Sequence, residues 1–148
     1  MPLTGTYERS LDEKLRLAVP KRLRDEFQEG DITSLYAAPG IDRCLVLYSP
    51  AGFEKFAQKI EQQPAYRTDV RSYTRLFYAQ AEKLDLDSQG RIRLPERLTK
   101  LAGLSREVVL IGVHDRAEIW DQAVWSDYLA KLSPDFDAIA SQVFGTTE

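Results

Sequence analysis

Residues 86–98 read "LDSQGRIRLPERL", and residues 11–23 read "LDEKLRLAVPKRL". Six positions agree: Leu11 with Leu86, Asp12 with Asp87, Arg16 with Arg91, Pro20 with Pro95, Arg22 with Arg97 and Leu23 with Leu98, each 75 residues apart. A second set of matches lies 72 residues apart and pairs Tyr48 with Trp120, Phe53 with Trp125 and Phe56 with Tyr128. The change of offset places a loop shorter by three residues in the second copy. A chain of 148 residues has written one plan twice.

Each copy reads the same way from local chemistry. "TYERSL" and "RLAV" flank Asp12–Leu15, and "AEKLDL" and "RIRL" flank Asp87–Gly90, as short alternating strands around a turn. In the second copy the turn Asp-Ser-Gln-Gly has an aspartate that bonds the backbone ahead and a glycine that accepts positive φ. Pro20 and Pro95 suit the first turn of a short helix, where a missing N–H costs nothing. "SLYAA", "CLVLY", "EVVLIGV" and "AEIW" are β-prone apolar runs. Phe53, Phe56, Ala57 and Ile60 mark one face of a helix from near Pro50, as do Val124, Tyr128, Leu129 and Leu132 in the second copy. The expected organisation is a first repeat at 3–56 with its helix running to about 62, a linking helix at 63–79, a second repeat at 80–132 and a loosely ordered tail at 133–148. The fold class is α+β, with a pseudo-twofold repeat of small β units. Units of this size bury little core alone, so intimate packing of the halves, oligomerisation, or both, are expected.

With 43% hydrophobic and 29% charged residues the chain is globular. No apolar run approaches membrane-spanning length, and the N-terminus lacks the pattern of a signal peptide. A single cysteine, Cys44, makes no internal disulfide, which suits a reducing cytoplasm. The net charge is −3, but it is unevenly spread. Residues 14–24 carry +5 and residues 91–100 carry +3, leaving −11 for the remainder. Both repeated phrases are basic islands in an acidic protein, an electrostatic footprint suited to nucleic acid.

The two phrases resemble the repeated signature of the MraZ family, approximately Asp-x-Lys/x-Gly-Arg-x-x-x-Pro, whose halves belong to the AbrB-like superfamily of swapped-hairpin DNA-binding proteins. The second copy holds the pattern as Asp87, Gly90, Arg91 and Pro95; the first keeps Asp12, Lys14, Arg16 and Pro20 but places Leu15 where the glycine belongs. The resemblance spans residues 3–130. It implies two tandem AbrB-like units, a ring-shaped homo-oligomer, and binding to direct repeats in double-stranded DNA upstream of the division and cell-wall operon that begins with the protein's own gene. The expected role is a sequence-specific transcriptional regulator, acting as a repressor, cytoplasmic and nucleoid-associated, with no cofactor, membrane or small-molecule substrate. The alternative is an AbrB-like antitoxin or interaction module whose main partner is a protein.

The candidate DNA-contact residues are Lys14, Arg16, Lys21, Arg22, Arg91 and Arg93, with Asp12, Pro20, Asp87, Gly90 and Pro95 as the structural motif. A β-ribbon fits the major groove, and the arginine fork takes guanine O6 and N7 together or a phosphate. An ordinary solvated hairpin is the alternative. Lys21 and Arg22 fall at a helix start, where the dipole disfavours cations by up to about 1 kcal/mol unless a phosphate binds; Glu96 stands at the corresponding point of copy two. Leu15 raises two alternatives: a left-handed leucine strained by roughly 1–2 kcal/mol, or a different turn that redirects Lys14 and Arg16. Asp12, Asp85 and Asp87 serve as turn caps or arginine partners in preference to acid catalysts, since nothing supplies a pocket partner. His114 and Cys44 lack the spacing of metal ligands, so no metal is expected. Arg67, Arg71 and Arg75 form a stripe along the linking helix, either a solvated face or a contact with an acidic neighbouring subunit.

Overall fold

The computed structural model describes residues 2–27, 30 and 32–145. Its elements follow in order as β1 (Thr6–Ser10), β2 (Arg16–Ala18), α1 (Lys21–Glu26), β3 (Ser34–Pro39), β4 (Leu45–Tyr48), α2 (Pro50–Glu61), α3 (Thr68–Gln80), β5 (Glu82–Asp85), β6 (Arg91–Arg93), α4 (Glu96–Leu101), β7 (Glu107–Gly112), β8 (Ala117–Asp121), α5 (Gln122–Leu132), a 3-10 turn (Ser133–Asp135) and α6 (Phe136–Phe144). Up to α5 the second half repeats the order of the first.

The strands do not pair within their own halves alone. A six-stranded antiparallel sheet has the order β1-β7-β8-β4-β3-β5, and a separate two-stranded sheet joins β2 to β6. Reading the sheet from either edge gives the same sequence of roles, so the repeat is a pseudo-twofold axis between β8 and β4. The opening strand of each half has crossed over: β1 lies on β7 of the second half, from Thr6↔Ile111 to Ser10↔Glu107. Strand β5 lies on β3 of the first half, from Ser34↔Asp85 to Ala37↔Glu82. The exchange of opening strands between the halves therefore takes place inside one chain.

Apolar alternation decides which side chains the exchange buries. On β2 and β6, Leu17 stands opposite Ile92 and both are fully buried, while Arg16, Ala18, Arg91 and Arg93 take the opposite face. Three-residue strands cannot hold a hairpin alone, so each pairs with its counterpart and turns its central side chain into the core. That core is continuous across both halves, running through Leu17, Leu23, Leu35, Leu45, Leu47, Ile92, Leu98, Leu110 and Ile119.

Capping chemistry repeats as well. Ser49 opens α2 by accepting the Gly52 N–H at 3.0 Å, and Asp121, 72 residues later, opens α5 by accepting the Val124 N–H at 3.4 Å. Asp121 also accepts the Ser105 hydroxyl at 2.6 Å, tying the helix start to the loop before β7. Pro20 and Pro95 sit one residue ahead of the first helical residues of α1 and α4.

The halves differ in what covers their aromatic residues. In the first, Tyr48, Phe53 and Phe56 are roofed by α3, with Phe77 centred 5.2 Å from Phe56 and 6.0 Å from Phe53. In the second, Trp120, Trp125 and Tyr128 cluster in the same way, with centroids 4.9–5.6 Å apart. Val124, Tyr128 and Leu129 nevertheless remain exposed. Residues 133–144 of the expected tail are helical, α6 buries none of its residues and exposes Phe136, Val143 and Phe144, and residues 146–148 lie outside the described residues.

Because the two halves share one core and exchange strands, urea should unfold them in a single transition that is coincident by far- and near-ultraviolet circular dichroism. Ile92→Ala should lower stability by about 2–5 kcal/mol without splitting the transition. Two separate transitions would contradict the shared core.

Candidate nucleic-acid interface

The two repeated turns are built on one backbone plan. In the first, the Leu15 N–H donates to the Asp12 carbonyl at 2.9 Å and the Asp12 N–H to the Arg16 carbonyl at 3.2 Å. In the second, the Gly90 N–H donates to the Asp87 carbonyl at 3.0 Å and the Asp87 N–H to the Arg91 carbonyl at 2.9 Å. Each aspartate locks its turn from inside. Asp12 Oδ1 accepts the N–H groups of Lys14 and Arg16 at 2.9 and 2.8 Å, and its Oδ2 accepts Arg16 Nε at 2.6 Å. Asp87 does the same for Gln89, Arg91 and the Arg91 guanidinium, at 2.9, 2.9 and 2.8 Å. The repeated Asp-to-Arg spacing of four residues is thus a side-chain brace: one carboxylate fixes a tight turn and aims an arginine.

Leu15 settles between its two alternatives. It adopts φ 61°, the counterpart of Gly90 at φ 75°, so the first turn keeps the geometry of the second and bears the strain of a left-handed leucine, roughly 1–2 kcal/mol. Packing of the half-buried Leu15 side chain against the main core offsets part of that cost. At Gly90 a side chain would have to displace an arginine. A Cβ there would lie 2.8 Å from Cζ of Arg24, whose Nε donates to the Val19 carbonyl at 3.2 Å. Arg24 stands 75 residues from Thr99, so the turn bearing leucine belongs to the copy-pair with the smaller threonine, and the turn bearing glycine lies beneath the arginine. Arg24 was not distinguished by the sequence pattern; its mismatch with Thr99, set beside the Leu15–Gly90 mismatch, is the signal that marks it.

The turns are also cross-braced. The Val19 N–H donates to the Gly90 carbonyl at 3.0 Å, and the Leu94 N–H donates to the Leu15 carbonyl at 2.9 Å. With Arg16 in register with Arg93 and Ala18 with Arg91, the strands that follow the two basic turns form one continuous ribbon. Lys14 extends from the first turn of that ribbon, exposed. Lys21 and Arg22 begin α1 beside the Gly90 turn, where they pair with Asp25 at 2.9 Å and Glu26 at 3.3 Å on their own helix. Arg97 pairs with Glu82 at 2.7 Å. Lys14 and Arg93 have no side-chain partner among the described residues, and both line a depression with Leu15, Leu94 and Glu96.

The other candidate groups are structural. Cys44 is buried, its thiol donates to the Ile41 carbonyl at 3.2 Å, and burial pushes its pKa up to about 12. His114 takes φ 65° at a β-bridge to Leu3. Arg67 pairs with Asp69, and Arg71 donates to the carbonyls of Ala65 and Tyr66. Arg75 makes no ion pair among the described residues. No cluster of three or more potential metal ligands occurs among them, and no helix is long and apolar enough to cross a membrane.

The Arg16 N–H, the Arg16 guanidinium and the Lys14 N–H together hold the Asp12 carboxyl down to about 2, and the Arg91 N–H and guanidinium depress Asp87 in the same sense. A depressed carboxylate contributes fully above its ordinary pKa, and the contribution is lost as pH falls through the folded value. The carbon-13 resonance of the Asp12 carboxyl should therefore titrate near 2, with the Lys14 and Arg16 amide signals moving in step. A midpoint near 4 with those amides unmoved would contradict the brace.

Comparison with known proteins agrees with the tandem repeat. The family model described as "MraZ protein, putative antitoxin-like" matches residues 3–76 and again residues 77–146. The protein named "Transcriptional regulator MraZ" from Syntrophomonas wolfei is 38% identical over 139 residues, covering 94% of both chains. Its namesake from Moorella thermoacetica is 36% identical over 139 residues with 94% of each chain covered. The one from Salinispora arenicola is 37% identical, covering 94% of this chain and 95% of its own. With two tandem matches and relatives similar along almost their whole length, the chain belongs to the MraZ family.

Proposed function

We propose that the protein is a sequence-specific DNA-binding transcriptional regulator that represses the division and cell-wall operon by binding direct repeats upstream of its own gene. The observation that carries this reading is the shared ribbon of β2 and β6. It buries Leu17 and Ile92 on one face and gathers Arg16, Arg91 and Arg93 on the other, with Lys14 at one end. A two-stranded ribbon enters the major groove, where an arginine takes guanine O6 and N7 through two hydrogen bonds. The braces from Asp12 and Asp87 fix each Arg Nε and leave the terminal nitrogens to reach outward. Lys21 and Arg22, exposed at the start of α1, suit the flanking phosphates. The acidic remainder of the chain steers the duplex away from every other surface. The site of action is the nucleoid, within the cytoplasm.

Self-association supplies the affinity that one short ribbon lacks. Val124, Tyr128 and Leu129 on α5 and Phe136, Val143 and Phe144 on α6 are exposed, in a stretch of the chain that also carries Asp127, Asp135 and Asp137. The exposed side of α3 offers Leu76 and the cations Arg71 and Arg75, with Tyr66 exposed in the turn before it. Joining two different surfaces makes a head-to-tail contact, which closes into a ring when the rotation permits. Several ribbons on one ring gain avidity on spaced repeats. The exposed apolar α6 also favours a second reading, in which the main partner is another protein, as for an antitoxin.

Fluorescence anisotropy with a labelled duplex from upstream of the gene tests the reading. Binding should exceed that to a scrambled duplex and fall steeply with salt. Arg16→Ala and Arg91→Ala should each cost about 1–3 kcal/mol of specific affinity. Folded, assembled protein that binds no duplex at low salt would refute DNA recognition and favour the protein partner.

A further inference from the structure

The pseudo-twofold axis maps the ribbon onto itself, and a fully symmetric ribbon would read the same DNA in either direction. The side chains break that symmetry in a consistent way. At the 75-residue offset Arg16 matches Arg91, but Lys14 matches Gln89 and Arg93 matches Ala18. Both extra cations fall at the same end. Arg93 stands opposite Arg16, whereas Ala18 stands opposite Arg91. Lys14 and Arg93 line one depression beside the Leu15 turn.

The adjoining helices carry the opposite bias. Beside the Gly90 turn α1 begins with Lys21 and Arg22, while beside the Leu15 turn α4 begins with Glu96 and Arg97. One end of the surface thus holds its cations on the ribbon, and the other holds them on the helix. Among the ribbon cations, Arg16 and Arg91 spend their Nε on Asp12 and Asp87, and Lys14 and Arg93 have no side-chain partner among the described residues.

We propose that Lys14 and Arg93 are orientation-determining residues, which make the ribbon bind a non-palindromic stretch of double-stranded DNA in one direction only. This rests on the DNA-binding reading above and adds polarity to it. The Lys14–Arg93 end reads base edges with two side chains beyond Arg16, and guanine N7 and O6 are the acceptors that suit them. The Gln89–Ala18 end reads with Arg91 alone and is held by α1 against the phosphate backbone. A directional reading head on a rotationally assembled protein requires sites repeated in the same direction, without inverted halves.

The test is enrichment of bound sequences from a pool of random duplexes, using the full-length protein, Lys14→Gln/Arg93→Ala and Arg91→Ala. The changed positions lie at or near the surface, and a thermal melt confirms that each variant is folded. The wild type should enrich a non-palindromic motif. Lys14→Gln/Arg93→Ala should erase base preference at one end of that motif and weaken binding roughly tenfold or more. Arg91→Ala should erase preference at the other end. The proposal is overturned by a palindromic wild-type motif, or by a double variant that binds more weakly with its motif unchanged, which would make both residues phosphate contacts. Enrichment of nothing by the wild type would overturn DNA recognition itself, and the orientation proposal with it.

Discussion

Everything else in the structure depends on the pairing of β2 with β6. Each strand is three residues long and has one apolar side chain to bury, and neither is stable without the other. Their pairing places Leu17 against Ile92 in the core and forces the residues on either side of them outward. The strands come from opposite halves, so the chain must exchange its opening strands to bring them together, and the order β1-β7-β8-β4-β3-β5 follows from that exchange. The same pairing gathers the basic islands of an acidic protein on one surface.

Rigidity at this surface is stored in the turns. Two carboxylates, each accepting two backbone N–H groups and one guanidinium, hold arginines that would otherwise sample many rotamers, and this lowers the entropic cost of ordering them in the proposed DNA complex. The turns themselves require a left-handed residue. Gly90 supplies it without strain, and Leu15 supplies it at a cost that core packing partly returns. The chain thus keeps both turns in one geometry with unlike residues, and the differences pass to what surrounds them: Thr99 near one, Arg24 over the other. Pseudo-symmetry in the backbone and asymmetry in the side chains coexist for that reason.

Much of this was legible in the residues. The offsets of 75 and 72 marked the repeat, and local turn, cap and apolar patterns located β1–β8 and α1–α5. The pairing of strands was not legible in this way, because alternation says which side chain of "RLAV" or "RIRL" is buried and nothing about which strand lies beside it. The exchange entered through the family resemblance. Leu15 was legible as an anomaly, yet its outcome turned on a tertiary contact that no local rule contains. The helix at 136–144 does carry a signal, with Phe136, Ile139, Val143 and Phe144 at helical spacing, but it buries no residue here, so no core contact accompanies that period. Arg24 reads in the sequence as one more cation of its basic island, and only the fold places Gly90 beneath it.

The claim that both phrases act as one reading head is tested most directly by amide hydrogen exchange, with and without a duplex from upstream of the gene. Resolution to single residues should show 16–18 and 91–93 becoming protected together and to similar extents, with the flanking turns following and a scrambled duplex having little effect. Protection confined to one phrase, or equal protection by both duplexes, would contradict a single ribbon that reads sequence.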